Sequence, residues 1–228
     1  MKTLARIAAA ILAVVTALSL SATGAAASTI TIRRDDAGGS PYSGGFRFDS
    51  LVPMTLNLQI LGMNAVVQCD SIGLNGNVGS DGSNFVLSAV SFGNCTSDIG
   101  NVHSFGFEGL PYTQATLRYD PLPGGRDGVL ILTDPGLRIR FSLSGVGTCG
   151  YGLNGSIPSL TVNLYNPDNP NRPDPSVPEA QAEIDNTPLA RQPGSSLFCS
   201  STAVLDGYGT LKGLGGSGVF GQTLYFTP

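Results

Sequence analysis

The sequence predicts an all-β fold: a single β-sandwich of the Ig-like or Greek-key type, with about ten short antiparallel strands. Three observations predict it. Short runs rich in Val, Ile, Leu, Thr, Phe and Tyr recur along most of the chain. Several of them alternate polar and apolar residues, the period of a strand with one buried face. The segments between are Gly-rich turns, and no sustained helical period occurs beyond the N-terminal leader.

The elements follow in order. Lys2 and Arg6 form a positive start, residues 7–20 an apolar stretch and residues 22–28 a small-residue end of the Ala-x-Ala kind. This is the layout of a cleaved secretory signal peptide, assigned to residues 1–27, and its apolar run is too short for a membrane anchor. Residues 29–32 alternate briefly before Arg33-Arg34-Asp35-Asp36 and Gly38-Gly39-Ser40-Pro41 break the pattern. Residues 28–41 are therefore expected to be a flexible N-terminal segment, and residues 42–228 one disulfide-braced sandwich domain.

Within that domain the expected strands are residues 42–52, 54–60, 65–69, 85–92, 102–107, 115–119, 128–133, 137–143, 161–165, 202–211 and 219–227. In the segment 137–143, Leu137, Ile139, Phe141 and Leu143 share one face, and Arg138, Arg140 and Ser142 the other. Turns are expected at Ser80-Asp81-Gly82, Asp134-Pro135-Gly136 and the 123–128 stretch. A short helical turn is expected at 178–183, with Pro178 near its start. Residues 166–178 hold Pro167, Pro170, Pro173, Pro175 and Pro178, which favour a stiff, extended loop within the one domain. A faint internal echo links Cys69 and the following Leu74-Asn75-Gly76 to Cys149 and Leu153-Asn154-Gly155, and coincidence in a Gly/Asn-rich chain accounts for it.

Without the leader, ten basic residues face sixteen acidic ones, a net charge of −6. The charged fraction of 12% is half the usual ~25%, with no basic footprint for nucleic acid. Although 31 Gly and 15 Pro could suggest disorder, 41% hydrophobic residues describe a chain that folds. Export would place Cys69, Cys95, Cys149 and Cys199 where disulfides persist. Four cysteines permit three pairings. Cys69–Cys95 with Cys149–Cys199 is the expected one, because each pair then flanks neighbouring β-segments. A zinc site lacks a Cys-x-x-Cys and a second histidine.

Catalytic patterns are sparse. His103 is the only histidine, and no Gly-x-Ser-x-Gly elbow occurs. The glutamates number three, Glu108, Glu179 and Glu183, and aspartates such as Asp81, Asp127 and Asp134 sit in turn sequences. A carboxylate pair for glycoside hydrolysis is thus disfavoured, though distant residues can meet in a fold. Trp is absent, which leaves Tyr112, Tyr119, Tyr151 and Tyr165 to stack on a sugar, with burial in the sandwich the simpler role. Asn166, Asp168, Asn169, Asn171 and Asp174 offer oxygen ligands for Ca²⁺, but in no EF-hand spacing, and turn chemistry explains them. No cofactor and no metal site is assigned.

The stretches Gly147-Thr148-Cys149-Gly150-Tyr151-Gly152, Asn166-Pro167-Asp168-Asn169-Pro170-Asn171-Arg172-Pro173 and Ser195-Ser196-Leu197-Phe198-Cys199 resemble a family of small secreted proteins of Gram-positive actinobacteria. The Cys69…Cys95 stretch and Leu110-Pro111-Tyr112 fit the same pattern, so the resemblance spans most of residues 42–228. It implies export, a β-rich fold and paired cysteines. No activity is established for that family, and no functional residues carry over.

The expectation for function is a secreted, non-enzymatic β-sandwich that binds a ligand or partner at the cell envelope or in the medium. The alternatives are a secreted hydrolase with carboxylate chemistry, or a protease inhibitor or small-molecule carrier. For binding, the 166–178 loop is the natural contact. The particular ligand and the oligomeric state are not encoded in any pattern.

Overall fold

Two unusually long neighbouring strands decide the architecture. In the computed structural model, which describes residues 28–228, seventeen strands and no helix are found among the described residues. In chain order they are β1 (Ser28–Thr29), β2 (Thr31–Arg34), β3 (Gly44–Ser50), β4 (Met54–Ile60), β5 (Met63–Cys69) and β6 (Ile72–Val78). Next come β7 (Val86–Phe92), β8 (Cys95–Ser97), β9 (Val102–Glu108), β10 (Ala115–Tyr119), β11 (Gly128–Leu132) and β12 (Arg138–Leu143). The last five are β13 (Gly147–Gly152), β14 (Leu160–Tyr165), β15 (Ala180–Arg191), β16 (Cys199–Leu214) and β17 (Phe220–Thr227). The leader assigned to residues 1–27 lies outside the described residues.

All pairings are antiparallel, and β15 and β16 pair with each other from Ala180↔Leu211 to Ala190↔Thr202. A bulge interrupts this hairpin, because the register shifts between Ile184↔Gly207 and Thr187↔Leu205. Asn186 there has φ +43° and Gly207 φ +148°. On one side of the bulge β15 pairs with β14 and β16 with β3. On the other side β15 pairs with β13 and β16 with β4. One hairpin thus serves two lobes of a single continuous sheet. Bulges that bend a strand so that it changes sheets are the usual corner device of such folds.

The first lobe runs β1-β10-β11-β14-β15-β16-β3-β6-β7, with β17 and β2 appended at the far end of β16. The second runs β9-β12-β13-β15-β16-β4-β5-β8. Its edge strands β8 and β9 are consecutive in the chain, so this lobe curls back toward itself as a half-barrel. Between the lobes lie the inward faces of the alternating strands: Leu56 on β4, Ile139 and Phe141 on β12, Leu160 and Leu164 on β14, and Leu205 on β16.

Several expectations are met. Residues 54–60 and 115–119 are strands to the residue. Leu137, Ile139, Phe141 and Leu143 are buried, whereas Arg138, Arg140 and Ser142 are half-buried. The disulfides are Cys69–Cys95, which are also register partners of β5 and β8, and Cys149–Cys199, which ties β13 to the start of β16.

Three expectations are corrected. The fold is all-β and antiparallel, but it is one curled sheet of seventeen strands and not a ten-strand sandwich. The reason is that β15 and β16, of 12 and 16 residues, are each long enough for two neighbours on one side. Residues 28–41 are not a loose lead-in: β1 pairs with β10, β2 with β17, and Ile30 and Ile32 are buried. The apolar members of that short alternating run fill the core. Lastly, residues 178–183 run into β15 and form no helical turn, because Gln181, Ala182 and Glu183 pair with β14. The echo after Cys69 and Cys149 is not structural either, since Leu74 lies in β6 and Leu153 in the irregular connection after β13.

Candidate functional site

Three chain segments far apart in sequence meet at one end of the first lobe and border an open surface cleft of about 540 Å³. The first is the 120–127 connection between β10 and β11. It folds on itself through Asp120 N–H to Asp127 O (3.1 Å) and Leu122 N–H to Arg126 O (2.9 Å). Arg126 donates to the Asp120 carboxylate within it and to Asn163 Oδ1 on β14 (3.0 Å).

The second wall is the Pro-rich loop after β14. It is fixed by hydrogen bonds, not by polyproline stiffness alone. The Asn166 side chain acts as a strand partner for the backbone of Phe226: its Nδ2 donates to Phe226 O (2.9 Å) and its Oδ1 accepts from Phe226 N–H (2.6 Å). Asn169 Nδ2 donates to Gly125 O (2.9 Å) and Asp127 Oδ2 (2.8 Å), tying this loop to the first wall. Farther on, Arg172 donates to the carbonyls of Asn169, Pro175 and Val177, and the buried Gln181 exchanges bonds with Asp174. The third wall is the end of β17, where the Tyr225 hydroxyl donates to Asp168 Oδ2.

This arrangement leaves a mixed surface. Tyr119, Leu122 and Tyr225 supply apolar area, and Arg126, Asp127, Asp168 and Asn171 supply donors and acceptors. Asp127 Oδ2 is occupied by Asn166 N–H (2.7 Å) and Asn169, whereas Oδ1 has no protein partner among the described residues. Asn171 uses its backbone N–H on Asn169 (2.8 Å), which leaves its side-chain amide uncommitted. Burial and the neighbouring Asp168 carboxylate push the Tyr225 hydroxyl well above its ordinary value, so it remains a protonated donor at neutral pH. Arg126, Asp127, Asp168 and Tyr225 are thus held by hydrogen bonds, the form of pre-organisation that lowers the ordering cost of binding, and the exposed Asn171 amide adds a free donor and acceptor.

Other residues singled out in the sequence lie apart. His103, exposed on β9, has Nε2 2.9 Å from Ser144 Oγ, with no carboxylate among its hydrogen-bond partners. Glu108 pairs with Arg140 (3.1 Å), Glu179 with Lys212 (3.2 Å), and Glu183 accepts from Tyr165 (2.6 Å). Asp134 is buried in its turn and accepts from the N–H groups of Thr113, Gln114 and Gly136. Tyr112, Tyr151 and Tyr165 are buried, so of the four tyrosines considered for stacking only Tyr119 reaches the cleft. The oxygen ligands considered for Ca²⁺ serve separate partners: Asn166 on Phe226, Asn169 on Gly125 and Asp127, and Asp174 on Ser176 (2.9 Å). No group of three or more His, Cys, Asp or Glu among the described residues could hold a metal ion. Sequence reading missed Arg126 and Tyr225, which only the folded chain brings beside the Pro-rich loop.

A more enclosed space lies between the lobes. It is lined by apolar side chains, including Phe48, Leu56, Phe107, Ile139, Val162 and Leu205, but holds only about 100 Å³. Ligand pockets run from about 300 to 1,000 Å³, and a dry cavity of about 150 Å³ takes benzene. The interior therefore seats no drug-sized molecule, whereas the polar cleft falls within the ligand range. No protein-family model, no curated protein and no solved structure matches the chain.

Proposed function

We propose that this is a non-enzymatic, secreted binding protein whose ligand seat is the cleft between the 120–127 connection, the Pro-rich loop and the end of β17. The ligand class is a hydroxyl-rich molecule, an oligosaccharide of the cell envelope or the surrounding medium. One observation carries the reading. Asp127, Asp168 and Arg126 present anchored acceptors and donors, with the free Asn171 amide, beside the Tyr119 and Tyr225 rings in a cleft of about 540 Å³. Paired hydroxyls suit carboxylate and amide groups, and the C–H face of a sugar ring packs against an aromatic surface. The two disulfides and the leader-like N-terminus are compatible with an extracellular setting.

The test is calorimetric titration of the oxidised protein with a panel of soluble oligosaccharides, chitotetraose and laminaritetraose among them. Binding to at least one is expected, weakened about 10–100-fold by Asp168→Asn or Asn171→Ala without loss of fold. Heat from no member of the panel, or binding that ignores both substitutions, overturns the assignment.

A further inference from the structure

At another part of the molecule, two turns project large apolar side chains into solvent. Leu61 and Met63, at the β4–β5 turn, are 61% and 58% exposed, and Leu197 and Phe198, just before β16, are 90% and 49% exposed. The turns are joined by Leu61 N–H to Phe198 O (3.2 Å). We propose that this tip is a membrane-surface anchor, whose four side chains enter the headgroup–acyl boundary of a lipid bilayer.

Three observations point to that occupant. The first is charge. Residues 56–69 and 192–205 contain no Asp, Glu, Lys or Arg, in a chain whose described part carries a net −6. Two charged groups from outside reach these segments, each on a backbone group: Asp98 accepts from Val66 N–H (2.9 Å), and Arg191 donates to Cys199 O (2.8 Å), the residue after Phe198, so its charge is partly spent on that carbonyl. Around the tip stand Gln59, Asn64, Ser200, Ser201 and Thr202, neutral groups that a headgroup layer can hydrogen-bond. A surface built this way enters the interface without desolvating an ion.

The second observation is backbone conformation. Ile60 and Met63 are register partners, so Leu61 and Gly62 form a two-residue hairpin turn, with φ +53° and +77°. Such a turn favours Asn-Gly, and leucine is disfavoured in the left-handed region. An aliphatic residue held there and exposed opposes both folding preferences. Such an outlier points to a role outside the fold's own packing.

The third is size. A stable protein–protein contact covers about 800 Å² and 20–30 residues per partner. Four apolar residues on two turn tips fall far below that, whereas reversible partition into a lipid interface has no such threshold and scales with the apolar area inserted.

The experiment is flotation of the oxidised protein with phosphatidylcholine vesicles, with the melting temperature measured in parallel. The wild type is expected to float, equally at about 0.05 and 0.5 M salt because no ion pair is involved. Leu197→Ser with Phe198→Ser should weaken partition on the order of 100-fold, about tenfold per side chain. Leu61→Asn should lower partition while raising Tm by about 2–4 °C, opposite effects that a purely structural role cannot produce. The chain has no Trp, so Leu197→Trp gives a single fluorophore whose emission should shift to the blue on vesicle addition. Wild-type protein that stays in the aqueous layer overturns the proposal. So does partition that both the Ser pair and Leu61→Asn leave unchanged. A dimer that these substitutions abolish, without flotation of the wild type, assigns the tip instead to a second copy of the chain.

Discussion

Gly207→Ala tests the corner on which the architecture turns. Gly207 lies opposite Ile184 at the bulge where β15 and β16 pass from one lobe to the other. Its φ of +148° is one that side-chain-bearing residues rarely adopt, and an added Cβ would fall 2.1 Å from Met54 Sδ and 3.3 Å from Met54 Cα. The dihedral costs about 1–3 kcal/mol and the overpacking another 1–3 kcal/mol. Together they remove about 2–6 kcal/mol from a stability on the order of 5–15 kcal/mol. At about 2–4 °C per kcal/mol, Tm should fall by roughly 4–24 °C. Urea unfolding followed by far-UV circular dichroism measures the change. A double-mutant cycle with Met54→Ala separates the two causes, since it removes the sulfur contact and leaves the dihedral cost. Stability within about 0.5 kcal/mol of wild type would refute the reasoning, because the corner would then tolerate an ordinary residue.

Other consequences are equally direct. Removing Cys149 and Cys199, 50 residues apart, should cost about 4 kcal/mol in urea unfolding, and removing Cys69 and Cys95, 26 apart, about 3.5 kcal/mol. Ala182→Val should add up to about 1 kcal/mol, because Ala182 faces the interior cavity and its volume of about 100 Å³ costs roughly 2.4 kcal/mol. Asp134 supplies a pH dependence. Burial alone would raise its carboxyl, but the backbone N–H groups of Thr113, Gly136 and Gln114 outweigh burial and hold it below the ordinary value. A depressed folded-state value means that its stabilisation is complete above the unfolded-state value near pH 4 and is lost as pH falls through the folded one. The difference in unfolding free energy between wild type and Asp134→Asn, about 1.5–3 kcal/mol at pH 7, should therefore shrink below about pH 4. A gap that widens on acidification contradicts the hydrogen-bonding account.

What was legible in the sequence was local. Strands β4, β10 and β12 follow from period-two alternation, and the disulfide pairing from cysteines that flank neighbouring segments. The strands that were missed have weak local signals. Glycine interrupts β13, where an added Cβ at Gly152 would sit 2.1 Å from Leu137 O, so close backbone approach excludes the residues that mark a strand. β15 contains Asp185, Asn186 and Pro188, all turn formers, yet folds as a strand. The first two occupy the bulge, and Pro188 lies where β15 has a partner on one side only, a position that tolerates the missing N–H. Residues 28–41 misled because four charges and two glycines outweigh two isoleucines in composition, whereas burial of those isoleucines decides the fold. The cleft was half legible. The Pro-rich loop stood out by its prolines and amides, but Arg126 and Tyr225 join it through pairings some 40–60 residues distant, such as Asn166 with Asp127 and Phe226.

The central claim is that the polar cleft is the ligand seat. Amide chemical-shift mapping of the ¹⁵N-labelled, oxidised protein during titration with the best-binding oligosaccharide of the panel tests it most directly. The account predicts shifts concentrated at Tyr119, Arg126, Asp168, Asn171 and Tyr225, with residues of the interior such as Ile139 and of the apolar tip such as Leu197 unmoved. Shifts centred on the interior or the tip, or a spectrum that no oligosaccharide changes, would contradict it.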